Sequence, residues 1–581
     1  MQTGYPSIDK PHCTEATLFE KYPIIPSVNI YTLFKLISRK NLDKPAVNCL
    51  EVRATYRKLL NDAVIISLAL KEIGVRKGDI VSVCMPNLYQ ALAVFFGCNR
   101  IGAVVTFLDA VAPSDEIISY LNQFESPIFV AYDKDKDYLN KVKESTKVKH
   151  IITLTPDESK SIEFLSDFAV VKTDYTISYP ALAQIALGRK NRMELFHSKK
   201  EDALILFTSG STGKPKSVVL TNENVIAAEM YAMNTSHTEN ITGPKTLICV
   251  PFSYPYGFVT SALTSLLWGK ESILAPNIGK ETIKYYFDKR PSIVFGSPAL
   301  LDLIMGNLPN DQDLSSVTHF ISGGDFLTAQ HATRGNEFFA RHGAPYVELG
   351  NGFGNAETVS IGSTPVGVPL RQETAGKLLV GTNVMVVDPD TFEEKRCGEE
   401  GLLCVSGKHV FKEYYKDPKL TAEVKFIHEG REYYNTGTLG IIDEQGYFTV
   451  TGRQSRFYIM SSLNKVYCDN VQNIIASYDG VKDCAVVKVS DAEKLYVNKA
   501  FIVLDDRYSE SEETMQYIWK CLYTSIDSVT GGRVQLKPYE IPAYIEFVKE
   551  LPRIPGSEKI DYSALEKLAE DALLKRVCAG K

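Results

Sequence analysis

The sequence has only two tryptophans, against 31 tyrosines and 27 phenylalanines, so any aromatic pocket is built from Tyr and Phe. Its eleven cysteines are scattered, Cys84, Cys98, Cys249, Cys397 and Cys404 among them, and no two form a C-x-x-C pair. An odd number without pairing excludes a disulfide framework and a zinc ribbon, and reads as reduced, packed thiols. No apolar stretch reaches the roughly 18 residues that span a bilayer; the longest candidate, Ala91–Val105, is interrupted at Cys98-Asn99-Arg100. The opening residues lack a basic segment followed by an apolar run, so no secretory signal is expected, and the expected location is cytoplasmic. Charge of one sign is also lacking. With 64 Lys plus Arg and 70 Asp plus Glu the net charge is −6 over 581 residues, too small a bias to imply nucleic acid or an anionic membrane as partner.

What remains is ordinary globular composition, 44% apolar and 23% charged, which excludes a disordered chain or a fibre. The length corresponds to three or four domains' worth of chain. Strand-like runs alternate with helical spacing: Asp79–Pro86, then Leu88–Ile101, then Gly102–Leu108, then Glu116–Phe124. Shorter strands follow at Ser126–Tyr132 and His150–Leu154. The rhythm recurs at Thr246–Pro251 with Val259–Trp268, and at Ser292–Gly296 with Ala299–Leu308. Alternation of this kind predicts an α/β fold with parallel-rich sheets covered by helices. From about Lys377 the pattern becomes short strands joined by Gly and Asp turns (Leu378–Val387, Gly401–Ser406, Arg431–Asp443), which predicts a β-barrel-like subdomain. From about Arg453 strands and helices mix again over the span of a small α+β domain.

One segment carries chemistry on its face. The apolar run Ala203–Phe207 leads into Thr208-Ser209-Gly210-Ser211-Thr212-Gly213-Lys214-Pro215-Lys216. Glycine lets backbone amides approach phosphate oxygens, hydroxyls add donors and lysine adds charge. It is not a Walker loop, because Thr208 stands where that pattern needs Gly and Pro215 stands where it needs Ser or Thr. The Gly350–Gly354 stretch does not match the dinucleotide G-x-G-x-x-G pattern.

Thr208–Lys216 closely resembles the signature loop of the adenylate-forming superfamily: acyl-CoA synthetases, stand-alone adenylation domains and luciferase-like enzymes. Further segments are similar to that family's in the same order, from about residue 30 to 570. They are Pro251–Gly257, Ser322–Asp325, Gly352–Glu357, Gly398–Tyr415 with Thr421, Thr436-Gly437, Thr451–Arg453 and Leu551–Asp561. The resemblance implies an N-terminal AMP-binding domain over residues 1–452 and a mobile α+β domain over 453–581, pivoting near Ser455. It implies ATP and Mg²⁺, a small carboxylic acid substrate, and a thiol acceptor, CoA or the phosphopantetheine of an acyl carrier protein.

Carried over residue by residue, Lys559, Glu357 and Arg453 take the catalytic positions, with Glu357 the magnesium ligand. Thr208, Ser209, Gly210, Ser211, Thr212, Gly213, Lys214 and Lys216 hold phosphates. Gly323, Gly324, Asp325, Phe353, Gly354 and Thr438 border adenine and ribose, and Tyr254, Tyr256 and Asn351 line the acyl pocket. Some positions depart from the family pattern. Thr438 stands where the family has a ribose-binding Asp, Ala356 where it has Thr, and Met460–Leu463 where it has glycines beside the pantetheine tunnel. These departures leave two alternatives beside an acid–thiol ligase: an adenylation enzyme that loads a carrier protein without CoA ligation, and a degenerate member that only binds a ligand.

Overall fold

The computed structural model describes residues 3–13, 24–50, 52–160, 172–190, 199–208, 215–236, 243–324, 327–371, 374–454, 456–459, 465–491, 494–524, 536, 538–554 and 559–579. The apolar runs of the N-terminal half become the centre of a sheet. Ile80–Cys84 lies between Val104–Leu108 and Ile128–Tyr132, all parallel. Every residue of Ile80–Cys84 and Val104–Leu108 is buried, which is why these strands read as continuous apolar runs rather than as alternation. Asp202–Phe207 joins this sheet parallel to Val104–Leu108, and Ser217–Thr221 returns antiparallel beside it. Among the described residues this sheet has eight strands and a second has seven. In the second, Glu348–Asn351, His319–Ser322, Ile293–Gly296, Lys245–Ile248, Glu271–Leu274 and Pro45–Cys49 run parallel, and Val52–Thr55 closes the edge antiparallel.

A single hydrophobic cluster joins the two sheets, taking Val81 and Val83 from one and Val47 and Ile248 from the other. Helix Tyr89–Arg100 lies in this core with all its residues buried, so it has no solvent stripe and no amphipathic signature. A buried asparagine network fixes its neighbours. Asn99 donates to Asn222 Oδ1 at 2.9 Å, Asn222 Oδ1 accepts from the Ile30 amide at 3.1 Å, and Asn29 donates to the Asn99 carbonyl at 2.9 Å. These bonds pin the start of helix Asn222–Ser236, which matters for the site.

The β-rich region is an antiparallel sheet in the order Asn383–Val387, Glu400–Ser406, Arg431–Ile442, Lys425–His428, with Phe448–Arg453 also paired to Arg431–Ile442. Register shifts at Leu402/Cys404 and Leu439/Gly440 bend it. The expected single strand Leu378–Val387 is broken in two, Lys377–Leu378 and Asn383–Val387. Between them Gly381 adopts φ +83°, and a Cβ there would lie 2.6 Å from the Tyr231 ring. A turn that only glycine fits without strain therefore interrupts the run.

In the C-terminal part, Val481–Asp491 and Leu495–Leu504 form a hairpin, with Tyr544–Phe547 parallel to its second strand. Alternate residues serve two separate cores. Cys484 and Val486 pack with helices Cys468–Ala476 and Glu512–Thr524, and Ala485 and Val487 pack with helix Tyr562–Ala579. The α/β class with parallel-rich sheets, an antiparallel β region and a small α+β end is thus the class expected. Among the described residues no helix is long and apolar enough to cross a membrane.

Candidate active site

The ends of the glycine-rich loop are pinned by the hairpin that carries them. Phe207 pairs with Ser217 across Asp202–Phe207 and Ser217–Thr221. Beyond that pair the Thr208 amide donates to the Lys216 carbonyl and the Lys216 amide to Thr208 Oγ1, both at 3.0 Å. The loop therefore leaves and re-enters the sheet at one point. Ser209, Gly210, Ser211, Thr212, Gly213 and Lys214 lie outside the described residues, as do Asp325, Ser455 and Met460–Leu463.

Glu357 sits one short helical turn into the site. Asn355 caps Ala356–Thr358, accepting from the Thr358 amide. The Glu357 side chain is buried and its carboxylate accepts a 2.5 Å bond from the Tyr414 hydroxyl. Burial raises its pKa above the usual carboxylate range; the Tyr414 hydroxyl and the positive charge of Lys216 pull the other way without cancelling it. Lys216 Nζ lies 5.2 Å over the Tyr414 ring. Tyr434 closes the group, accepting from Asn355 Nδ2 at 3.2 Å. Tyr414 and Tyr434 were not singled out from sequence. Tyr414 falls inside the Gly398–Tyr415 stretch, so the segment was visible, but a partnership across 57 residues was not.

The other described candidates line the same cavity, of about 1260 Å³: Thr208, Lys216, Tyr254, Tyr256, Gly323, Gly324, Asn351, Phe353, Gly354, Glu357, Thr438, Arg453 and Lys559. Their local engagements differ. The Tyr256 hydroxyl lies 2.7 Å from the Ile321 carbonyl and 3.0 Å from that of Gly296. Its ring lies so close to Gly323 that a Cβ there would meet it at 2.8 Å. Asn351, expected in the acyl pocket, is braced on the backbone of Leu327, accepting from its amide at 2.8 Å and donating to its carbonyl at 2.9 Å. Phe353 packs edge-on against Phe448 at 5.1 Å. A Cβ on Gly354 would fall 2.3 Å from the Ser360 carbonyl carbon, so the chain crosses itself there at a spacing only glycine allows.

Thr438 and Arg453 are cross-strand partners on Arg431–Ile442 and Phe448–Arg453. Lys559 lies on a return of chain, its carbonyl accepting from the Ile554 amide at 2.9 Å, with Arg553 bridged to Ile560. Beyond Ser455, Arg456 is ion-paired with Asp469, and its guanidinium lies 3.4 Å over the Tyr562 ring, three residues past Lys559. Sequence reasoning missed Arg456, and nothing in its local pattern signals it.

The expected helix Val259–Trp268 is of two kinds. Tyr256–Leu263 is a π-helix, wider than an α-helix, and continues into the α-helical turn Thr264–Leu267. Long π segments are rare and concentrate at functional sites. Tyr256 and Thr260 of this segment, with Thr264 and Trp268 after it, line the cavity, as do Ala232 and Ser236 of helix Asn222–Ser236.

Set beside known proteins, residues 34–415 match the AMP-binding enzyme family and residues 470–557 the AMP-binding enzyme C-terminal domain. The chain belongs to the AMP-binding enzyme family. It is 25% identical to a long-chain-fatty-acid–CoA ligase of Bacillus subtilis (strain 168), over 92% of this chain and 93% of the relative. It is 27% identical to one of Escherichia coli O6:H1, over 90% and 92%. Its fold matches the anthranilate CoA ligase AuaEII in complex with anthranoyl-AMP at a TM-score of 0.78, with 18% identity and 95% and 99% of the two chains covered. ATP-bound MatB from Rhodopseudomonas palustris gives 0.76 at 22% identity, covering 94% and 100%.

Proposed function

We propose that this chain is an ATP-dependent, AMP-forming acid–thiol ligase. A carboxylate oxygen of the acid attacks the α-phosphorus of ATP and the bond to pyrophosphate breaks, leaving an acyl-adenylate. A thiol sulfur then attacks the acyl carbon and AMP departs. The observation that carries this reading is that Lys216, Glu357, Arg453 and Lys559, from four distant segments, line one cavity. Family membership and relatives named as CoA ligases support it.

The residues take these roles. Lys559 offsets the charge that builds where two anions meet. Thr208 and Lys216 anchor the phosphate loop, and Arg453 faces ribose or phosphate. The borders of adenine are Gly323, Gly324, Phe353 and Gly354. Magnesium enters with the nucleotide as substrate, and the donor set fits it: one buried carboxylate, Glu357, beside a phosphate-holding loop. Magnesium on a nucleotide takes one or two protein carboxylates rather than a protein cage, and among the described residues no cluster of three or more metal-binding side chains occurs. We divide the chain at residues 452 and 453, with the C-terminal part pivoting at Ser455. The separate cores on the C-terminal side support that division.

The acyl group is assigned to the end between Ala232, Ser236, Thr260, Thr264, Trp268 and Ala275, where none of these lining residues carries formal charge. That favours an uncharged aliphatic or aryl acid over a dicarboxylate. CoA is the acceptor we favour, with carrier-protein pantetheine its competitor. Pyrophosphate release over a panel of carboxylic acids, with and without CoA, tests the reading. Release with at least one acid and formation of its acyl-CoA is expected. Hydroxamate-trapped adenylate without acyl-CoA would point to a carrier protein. No release with any acid, together with no Mg-ATP binding by calorimetry, would leave only a ligand-binding role.

A further inference from the structure

Two walls of the acyl end meet at a buried carboxyl that the reaction does not use. Helix Asn222–Ser236 supplies Ala232 and Ser236 to one wall, and the π-helical turn with the residue after it supplies Tyr256, Thr260 and Thr264 to the other. Glu229, on that helix, lies between them with 0% exposure. Its two carboxyl oxygens are 2.9 and 3.0 Å from Thr264 Oγ1, and Thr264 Oγ1 is 3.2 Å from the Val259 carbonyl. Ser261 Oγ reaches the Tyr256 carbonyl at 2.7 Å. Both hydroxyl oxygens thus lie near the carbonyl five residues back, which is the hydrogen-bond spacing of a π-helix.

A threonine hydroxyl donates one proton. The contacts of Thr264 Oγ1 with the carboxyl are shorter than its contact with the Val259 carbonyl, so that proton goes to Glu229, which accepts. Burial raises Glu229 to about 8, and the bond from Thr264 pulls the other way.

We propose that Glu229 is a positioning residue for the acyl substrate: by accepting from Thr264 it fixes the end of the wide turn that presents Tyr256 and Thr260, and locks that turn to the helix carrying Ala232 and Ser236. The proposal rests on the acyl end being assigned as above. It touches one end of the cavity, so its signature is a split between the two substrates.

Glu229→Leu removes the acceptor while keeping bulk, and Glu229→Gln keeps an acceptor, its amide oxygen, in the same place. In steady-state pyrophosphate release, Glu229→Leu is expected to raise the KM for the acid about tenfold and leave the KM for ATP within about twofold, while Glu229→Gln stays within about threefold of wild type for both. Thr264→Val should reproduce Glu229→Leu and Thr264→Ser should restore function, a pair that carries the test if Glu229→Leu does not fold. An unchanged acid KM in an active Glu229→Leu or Thr264→Val protein overturns the proposal. So does an equal rise in both KM values, which marks a merely structural role, or a Glu229→Gln protein as impaired as Glu229→Leu. Amide hydrogen exchange across residues 256–264 reads the brace without catalysis. Faster exchange in Glu229→Leu but not in Glu229→Gln supports it, and no change overturns it. A wild-type protein inactive with every acid would instead overturn the ligase reading, leaving the exchange result to decide the brace.

Discussion

The two ends of the cavity are built on opposite chemistry. The end we assign to the nucleotide gathers Lys216, Glu357, Arg453 and Lys559, with Tyr414 donating to the one carboxylate among these four. The end we assign to the acyl group is shaped by alanine, serine, threonine and a widened helix, and a carboxyl beside it, Glu229, is fully buried, with its pKa raised by burial. Handling a triphosphate requires charge, and only a few side chains supply it. Accommodating an apolar chain requires shape, which many residue combinations supply equally well. A substitution at the first end should therefore act on one chemical step, and one at the second on which acid is accepted.

The sharpest break in that comparison is Lys559→Ala. Acyl-adenylate formation, followed by pyrophosphate exchange, should fall about 100- to 1000-fold, the usual cost of removing a group that stabilises developing charge. Thioester formation from a supplied acyl-adenylate should stay within about threefold of wild type. Equal losses in both half-reactions would mean that Lys559 serves the local fold, where its carbonyl accepts from the Ile554 amide, rather than the first step. A smaller effect is expected at the other end. Ala232 is buried and lines the cavity where we assign the acyl group, so Ala232→Phe should raise the KM for the longest accepted acid about tenfold and leave a short acid and ATP within about twofold. A uniform loss across acids would show that the wall lies elsewhere.

The same contrast decides what could be read from the sequence. The α/β rhythm was legible in the apolar runs, and the described nucleotide-end candidates, placed through the family resemblance, line one cavity. The acyl end was not legible. Tyr254, Tyr256 and Asn351 were visible as residues, but the bracing of Asn351 on Leu327 depends on a turn 24 residues away. Gly381 breaks an apparent strand because Tyr231, 150 residues earlier, lies against it. Glu229 stands in a helix whose pattern reads as plain core, and its role exists only once Thr264 faces it across the fold. The π-helix is invisible for the same reason: its apolar spacing passes for an α-helix.

The finest test falls on Thr438, the one nucleotide-end position where the expected charge is missing. Thr438 is cross-strand to Arg453 and almost fully buried. If ribose lies against this pair, Thr438→Asp supplies a charged acceptor for its hydroxyls, and a charge-assisted bond in place of a neutral one is expected to lower the KM for ATP about fivefold. The acid KM should not move, because the acyl end is untouched. The competing outcome is specific. An aspartate there can pair with Arg453 instead, taking the guanidinium from its ligand, and the KM for ATP would then rise. Arg453→Lys in the Thr438→Asp background separates the two cases. It relaxes the second by weakening a bidentate pair, and it leaves the first with its ribose contact intact.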